Sequence, residues 1–193
     1  MYLKLQENKE LNSTINKLYK KYSKEIMDIF IFGSAIKGKD KPKDLDILIL
    51  FKNKENLDIT YDFKTQLQGY NSDIITKTWA QALSPNFQAR EALLSEAYSL
   101  VNKQFLSESL GYKNQFLFNY EQKNLSSSER IRFHYALYGR NKNAGIMKTL
   151  SLKKLSDSVI LCPITNVEKF KEFLNTWKIK HDSYPILIPT RKL

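Results

Sequence analysis

The sequence predicts an α+β fold made of two successive groups of helices and strands. Residues 26–32 are rich in β-branched and aromatic side chains, and residues 44–51 alternate at their start before they become wholly apolar, so both segments are predicted strands. Apolar residues recur at helical spacing before the first strand and again after the second. With 193 residues and 42% hydrophobic side chains, the chain is long and apolar enough to bury a core.

The first half alternates helices with strands. A helix is expected over residues 8–23, before the first strand, and another over residues 61–69, after the second strand. Residues 72–78 form the third predicted strand. Residues 86–103 carry apolar side chains at helical spacing, which predicts a helix that covers the sheet.

The second half is predicted to be a separate domain, so that the chain divides into residues 1–105 and 106–193. Its expected β-β-α-β unit, which lies behind a first helix, consists of strands at 146–150 and 159–163, a helix at 166–177 and a strand at 184–188. The single cysteine, Cys162, is expected to be a buried strand residue and not a nucleophile.

The first helix of the second half has a clear start signal. Ser126 and Glu129 have the spacing of a capping box, in which each side chain bonds the backbone N–H of the other residue. A helix is therefore predicted over residues 127–138. Its apolar stripe consists of Ile131, Tyr135 and Tyr138.

Two short motifs lie where the first predicted strand ends and the second begins. Gly33 has no Cβ, so its backbone can approach a phosphate closely, and Ser34 adds a hydroxyl donor and can open a helix. Side chains alternate along a strand, so Asp44 and Asp46 are expected to face the same side. Mg²⁺ is usually held by one or two carboxylates together with substrate phosphates. The pattern therefore predicts a site for a divalent ion and a nucleoside triphosphate.

The motif Phe32-Gly33-Ser34, followed by Asp44-Leu45-Asp46-Ile47, resembles the signature of the DNA polymerase β-like nucleotidyltransferase superfamily. The short, early placement looks most like the minimal nucleotidyltransferases, although Ala35 and Lys43 stand where those proteins often have arginine and serine. The resemblance covers about residues 10–105 and implies a nucleotidyltransferase core, a mixed sheet with flanking helices. It does not extend to the C-terminal half, which is predicted to be a small basic α/β domain.

The resemblance also implies a set of metal ligands. Asp44, Asp46 and a third carboxylate from a later strand, Asp73, would bind Mg²⁺ or Mn²⁺ and carry catalysis, with Asp73 assisting deprotonation of the attacking hydroxyl. Asp58 and Asp62 compete with Asp73 for the third position, although their segment is predicted to be a loop followed by a helix, where acids usually face solvent.

The implied reaction moves a nucleoside monophosphate from a nucleoside triphosphate to a hydroxyl acceptor and releases pyrophosphate. Gly33 and Ser34 would orient the β- and γ-phosphates, and Lys37 would be their charge partner. Most of the catalysis would come from positioning and electrostatic stabilisation.

The net charge of +11 is unevenly distributed. Residues 1–105 carry 16 Lys and Arg against 13 Asp and Glu, whereas residues 106–193 carry 15 against 7. A basic excess favours a polyanionic partner. RNA, including tRNA ends, is therefore the favoured acceptor, and Arg140, Lys142 and Lys148 are the predicted phosphate contacts.

Other targets remain open at this point. Some minimal nucleotidyltransferases are antitoxins that adenylylate a protein partner, and others are toxins that act on tRNA, while DNA and small molecules are further acceptors. The chain could also be a non-catalytic nucleic-acid-binding subunit. No run approaches 18 apolar residues and the N-terminus has no charged-then-apolar leader, so we expect no membrane span and a cytoplasmic location.

Overall fold

The computed structural model describes residues 8–39, 42–141 and 143–191. The chain divides into two compact units, Met1–Tyr112 with Thr190–Leu193, and Lys113–Pro189. Each unit combines helices with its own four-stranded sheet, which confirms the predicted α+β fold class. No helix in these described ranges combines the length and the apolar composition that a membrane crossing requires.

The first unit is a mixed sheet flanked by helices. Its helices are α1 (Lys9–Tyr22), α2 (Leu57–Gln66), α3 (Trp79–Leu83), α4 (Arg90–Glu96) and α5 (Leu106–Ser109), and its strands are β1 (Ile26–Phe32), β2 (Leu45–Phe51), β3 (Ser72–Thr78) and β4 (Tyr98–Ser99). The strand order is β3-β2-β1-β4, in which β2 runs parallel to β3 and antiparallel to β1, and β4 runs antiparallel to β1. The predicted first helix and all three predicted strands of this half are confirmed.

The alternation of side chains along β1 and β2 sends apolar groups to both faces of the sheet. One face packs against α3, α4 and α5, and its buried core consists of Phe30, Phe32, Leu48, Leu50, Ala82, Leu93, Ala97 and Leu106. The residues between these on the strands, such as Ile31 and Ile47, are also fully buried. Helix α1, which contacts β1, buries Leu11 and Ile15.

The single helix predicted over residues 86–103 is wrong. Residues 90–96 are helical, but Ala97 has an extended backbone (φ −67°, ψ 130°), and Tyr98 and Ser99 then pair with β1. Pairing satisfies the backbone groups on the open edge of β1, which outweighs the helical spacing of the sequence. The predicted helix over residues 61–69 begins earlier, at Leu57, because the Asn56 side chain caps it by accepting the backbone N–H of Asp58.

A buried carboxylate, Asp28 on β1, joins this strand to β4 and to the segment that follows β4. Asp28 is 8% exposed and accepts hydrogen bonds from the Ile29 N–H at 2.7 Å, the Ser99 hydroxyl at 2.7 Å and the Asn102 amide at 2.8 Å. Burial raises the pKa of Asp28, and the three hydrogen bonds oppose that rise. Asp28 is thus an internal anchor of the first unit.

We expect the Asp28→Ala substitution to lower the free energy of unfolding by about 3 kcal/mol, because it leaves two buried donors, the Ile29 N–H and the Ser99 hydroxyl, without an acceptor. Asp28→Asn is the matched control: its carbonyl oxygen still accepts from Ile29 and Ser99, and only the contact with Asn102 is lost, so its effect is smaller. Chemical denaturation monitored by circular dichroism measures both. Equal stability of wild type and Asp28→Ala would contradict this role.

The second unit contains helices α6 (Ser127–Tyr138), α7 (Ile146–Thr149) and α8 (Val167–Thr176) and strands β5 (Tyr112–Glu121), β6 (Gly139–Arg140), β7 (Asn143–Ala144), β8 (Lys153–Lys154), β9 (Val159–Pro163) and β10 (Lys180–Pro189). Its main sheet has the order β10-β5-β9-β8, and β6 and β7 form a separate hairpin. The predictions of α6 with its capping box, of β9 and of α8 are confirmed.

The second unit differs from its prediction in two places. Residues 146–150, predicted as a strand, begin the short helix α7, since three apolar residues in a five-residue segment do not distinguish strand from helix. Strand β5 was not predicted at all, although Phe116, Phe118 and Tyr120 alternate along it and are buried. The unit is therefore built around β5, and the predicted β-β-α-β order does not hold.

Candidate active site

Asp46 lies at the end of the first sheet, between two neighbouring strands. Its register partners are Phe32, the last residue of β1, and Asp73, the second residue of β3. Partners on adjacent strands point to the same face, so Asp46 and Asp73 face the side that Phe32 and Leu48 share with the covering helices. Leu45 and Ile47 are buried, as predicted for the opposite side of β2.

Gly33 forms the turn that faces Asp46. It has a left-handed backbone (φ +76°) and begins one short 3₁₀ turn, Gly33–Ala35, and not the helix expected at Ser34. A Cβ atom on Gly33 would lie 2.1 Å from the Asp46 Oδ2 atom, so only glycine leaves room for the carboxylate. The missing side chain of Gly33 thus leaves the space that the Asp46 carboxylate occupies.

Asp44 lies in the bend before β2 and is exposed. Asn71, which adopts the left-handed conformation (φ 45°, ψ 58°), donates its side-chain amide to the Lys43 carbonyl. The Leu45 N–H in turn donates to the Asn71 carbonyl at 3.1 Å. Both neighbours of Asp44 are therefore bonded to one residue, which holds the bend in place.

The charges around Asp46 define the electrostatics of the site. Partial burial raises the pKa of Asp46, and the negative charges of Asp44, Asp73 and Glu96 raise it further, whereas the positive charge of Lys37 lowers it. The predicted carboxylates Asp44 and Asp73 and the predicted Lys37 therefore all shift the pKa of Asp46. Glu96 was not predicted.

Glu96 ends α4 and is paired with Lys37. The Lys37 Nζ atom lies 2.9 Å from Glu96 Oε1, with 22% and 7% of the two side chains exposed. The other carboxylate oxygen of Glu96 is buried and has no hydrogen-bond partner among the described residues. From the sequence, Glu96 cannot be distinguished from an acid on a solvent-exposed helix face. It lies at the site because the chain turns from α4 into β4 directly after it.

We expect a coupling energy of about 1–3 kcal/mol between Lys37 and Glu96, because Lys37→Met leaves the buried carboxylate of Glu96 without its ion-pair partner. The measurement is a double-mutant cycle of Lys37→Met, Glu96→Gln and the double variant, by chemical denaturation. If the two single effects add without coupling, the ion pair does not stabilise the fold.

The two competing acids lie in other surroundings. Asp62 accepts hydrogen bonds from Lys21 at 2.8 Å and Tyr22 at 2.6 Å, which join α2 to α1. Asp58 is exposed in the first turn of α2. Asp73, in contrast, is the register partner of Asp46 on the neighbouring strand, and its charge raises the pKa of Asp46. This supports Asp73 as the third carboxylate.

The donor set has the chemistry that a divalent ion needs. Like charges at Asp44 and Asp73 raise the pKa of Asp46, and a cation among the three would offset that repulsion. Within the described ranges, however, no group of three or more His, Cys, Asp or Glu side chains is close enough to hold a metal ion. Ligation by Asp44, Asp46 and Asp73 therefore stays a prediction.

The second half contains three predicted phosphate contacts, Arg140, Lys142 and Lys148, and the single cysteine. Arg140 and Lys148 are exposed, as phosphate contacts must be, whereas Lys142 lies outside the described residues. Cys162 is buried in β9, as predicted, and burial raises the pKa of its thiol to about 12, so it stays protonated.

A glycine turn and acidic side chains at adjacent strand ends define the first unit as a candidate phosphate-transfer domain. Residues 13–99 match the family model described as "Polymerase beta, Nucleotidyltransferase". This N-terminal part of the chain is therefore similar to the DNA polymerase β nucleotidyltransferase superfamily, as the motif predicted, and such a domain implies a nucleoside triphosphate substrate. Comparisons with curated proteins and with solved structures give no match.

Proposed function

We propose that the protein is a metal-dependent nucleotidyltransferase that transfers a nucleoside monophosphate to a hydroxyl acceptor. The observation that carries the proposal is the position of Asp46, which lies against the Gly33 turn and in register with Asp73. The family match over residues 13–99 supports the reaction class.

Asp44, Asp46 and Asp73 would hold Mg²⁺ or Mn²⁺. A bound divalent ion would neutralise charge on the triphosphate and stabilise the attacking and leaving oxygens. The protein residues supply position: Asn71 fixes the bend that carries Asp44, and Gly33 leaves space for the Asp46 carboxylate.

Nucleotidyl transfer requires only the acceptor hydroxyl and the nucleoside triphosphate as reactants. The acceptor hydroxyl oxygen forms a bond to the α-phosphorus, and the bond from that phosphorus to the bridging oxygen breaks, so that pyrophosphate leaves with the electron pair. Asp73, exposed beside Asp46, assists removal of the hydroxyl proton. Gly33 and Ser34 orient the β- and γ-phosphates, and Lys37 supplies positive charge at the same site.

We propose RNA, including tRNA ends, as the acceptor. Support comes from the second unit, where residues 113–189 carry 13 Lys and Arg against 6 Asp and Glu. Arg140, Lys142 and Lys148 are the proposed phosphate contacts.

One observation favours a second candidate, a nucleic-acid-binding subunit without transfer activity. Ala35 stands where minimal nucleotidyltransferases often have arginine, and it is 1% exposed, so this position packs into the core and offers no charge to a triphosphate. The Lys37 ammonium is then a point charge in place of the planar guanidinium fork.

The test is to incubate the protein with each α-labelled nucleoside triphosphate, Mg²⁺ or Mn²⁺, and RNA, DNA or cell protein. We expect label in the RNA pool, and none with the Asp46→Asn variant. Label that resists nuclease and sits on protein would favour an antitoxin-type protein adenylyltransferase instead. Absence of label from every pool, while the protein still binds RNA with a steep salt dependence, would leave the binding subunit.

A further inference from the structure

Helix α6 turns apolar side chains toward solvent. Ile131, Tyr135 and Tyr138 are spaced four and three residues apart, so they lie on one face, and they are 57%, 40% and 37% exposed. The buried residues of α6 are instead Phe133 and Leu137. The predicted apolar stripe is therefore the outer face of this helix, and a clustered exposed apolar face indicates a binding surface.

Cationic and aromatic groups surround this face. The Arg140 guanidinium carbon lies 4.8 Å from the centre of the Tyr135 ring, and the Lys154 Nζ atom lies 5.7 Å from the centre of the Tyr138 ring. The His134 ring is 4.7 Å from the Tyr138 ring. Such contacts orient the exposed rings and place positive charge beside them.

A pocket of about 390 Å³ opens beside Tyr138. Phe133 and Leu137, which are buried, form its apolar wall, and the exposed His134 and Tyr138 form its aromatic rim. This volume is within the range of small-ligand sites and accommodates one nucleobase.

The same pocket has polar groups at its other side. Gln122 lines it with an amide, and Asp157 and Lys154, which form an ion pair at 2.6 Å, line it with opposite charges. Together they offer both donors and acceptors, the groups that an unpaired base presents along its Watson–Crick edge.

We propose that this pocket on α6, which we call the α6 pocket, binds an unpaired base of a single-stranded nucleic acid. The base stacks on Tyr138 and His134, and Gln122 and Asp157 bond its edge. Arg140, and Lys148 on the adjacent helix α7, contact the flanking phosphates. The inference rests on the proposed function, since it assigns the acceptor class of that reaction. Bases in a duplex are paired and stacked, so the pocket selects single strands.

The test measures the binding of fluorescently labelled 12-nucleotide RNA and DNA single strands, and of the corresponding duplex, to the whole protein by anisotropy. We expect the single strand to bind more tightly than the duplex, and Tyr138→Ala to weaken that binding by about 10-fold, within the range that one stacked base contributes. Tyr138→Phe, which keeps the ring, should stay within about 2-fold of wild type. Tyr184→Ala, at another exposed tyrosine of this unit, is the matched control and should have no effect.

Equal affinity for duplex and single strand, no binding of either, or unchanged single-strand binding by Tyr138→Ala would overturn the proposal. Whichever of RNA and DNA binds more tightly identifies the source of the base, and either one supports the pocket. The Asp46→Asn variant separates strand binding by the α6 pocket from the transfer reaction, because it should lose transfer and keep strand binding. Tyr138-dependent binding without any transfer in wild type would refute the proposed function alone, and transfer without Tyr138-dependent binding would refute the pocket alone.

Discussion

The Asp46→Asn variant is expected to lose nucleotidyl transfer by about 10³-fold while it keeps its fold. Asparagine has nearly the shape of aspartate but not the negative charge that the proposed metal ligand supplies at the centre of the site. The measurement is the initial rate of label transfer from an α-labelled triphosphate. Asp58→Asn, which changes an exposed acid on α2, is the control and should transfer at the wild-type rate.

The same variant should be as stable as wild type or more stable at pH 7 in EDTA. The folded protein holds the Asp46 proton more tightly than the unfolded chain does, because burial and the charges of Asp44 and Asp73 raise the pKa of Asp46. The contribution of Asp46 to the free energy of unfolding is therefore most favourable below the unfolded pKa, and it is lost as the pH rises through the raised folded value. The Asp46→Asn side chain does not ionise, so the variant does not lose this stability as the pH rises. Thermal denaturation should therefore show a midpoint equal to or higher than that of wild type. A lower midpoint at pH 7, together with normal activity, would assign Asp46 to structure and not to chemistry.

The Gly33→Ala variant is expected to lose about 1–2 kcal/mol of unfolding free energy and about 10²-fold in activity. An alanine at φ +76° is strained, and its Cβ would lie 2.1 Å from Asp46 Oδ2, so the carboxylate must move. Denaturation and the labelled-transfer rate measure the two effects.

Gly69→Ala is the matched control for this substitution. Apart from Gly69 and its two chain neighbours, no atom of the described residues lies within 4 Å of a Cβ at this position, so the change should alter stability by less than about 0.5 kcal/mol and leave activity unchanged. In an Asp46→Ala background the clash is absent, and Gly33→Ala should then destabilise less. An equal loss in both backgrounds would mean that backbone strain alone, and not the carboxylate, makes glycine necessary.

The core of the first unit could be predicted because local pattern and fold agree there. The strands β1 and β2 are nearly continuous runs of β-branched and apolar residues, β3 is rich in β-branched residues, and the helix before them has unbroken apolar spacing. Glu96 could not be predicted, because its position depends on the pairing of Tyr98 and Ser99 with β1, a non-local contact that outweighs helical periodicity.

The outer face of α6 shows that apolar spacing does not predict which face of a helix is buried. Ile131, Tyr135 and Tyr138 have the spacing of a core stripe, yet the fold buries Phe133 and Leu137. Spacing indicates that residues share a face, but which face is buried depends on the partner. Here that partner includes Tyr120 and Phe173, which contact the Phe133 ring. One of them belongs to β5, the strand that the sequence did not predict.

The central claim, that the chain transfers a nucleoside monophosphate, is tested most directly by comparing two positions of the label. The protein is incubated with RNA, Mg²⁺ and a triphosphate labelled at either the α- or the γ-phosphate. We expect α-label to enter RNA and γ-label to leave as pyrophosphate, and we expect neither with the Asp46→Asn variant. Transfer of γ-label to the acceptor would indicate a kinase reaction, and no change in either label would indicate a domain that does not catalyse transfer; both results would contradict the account.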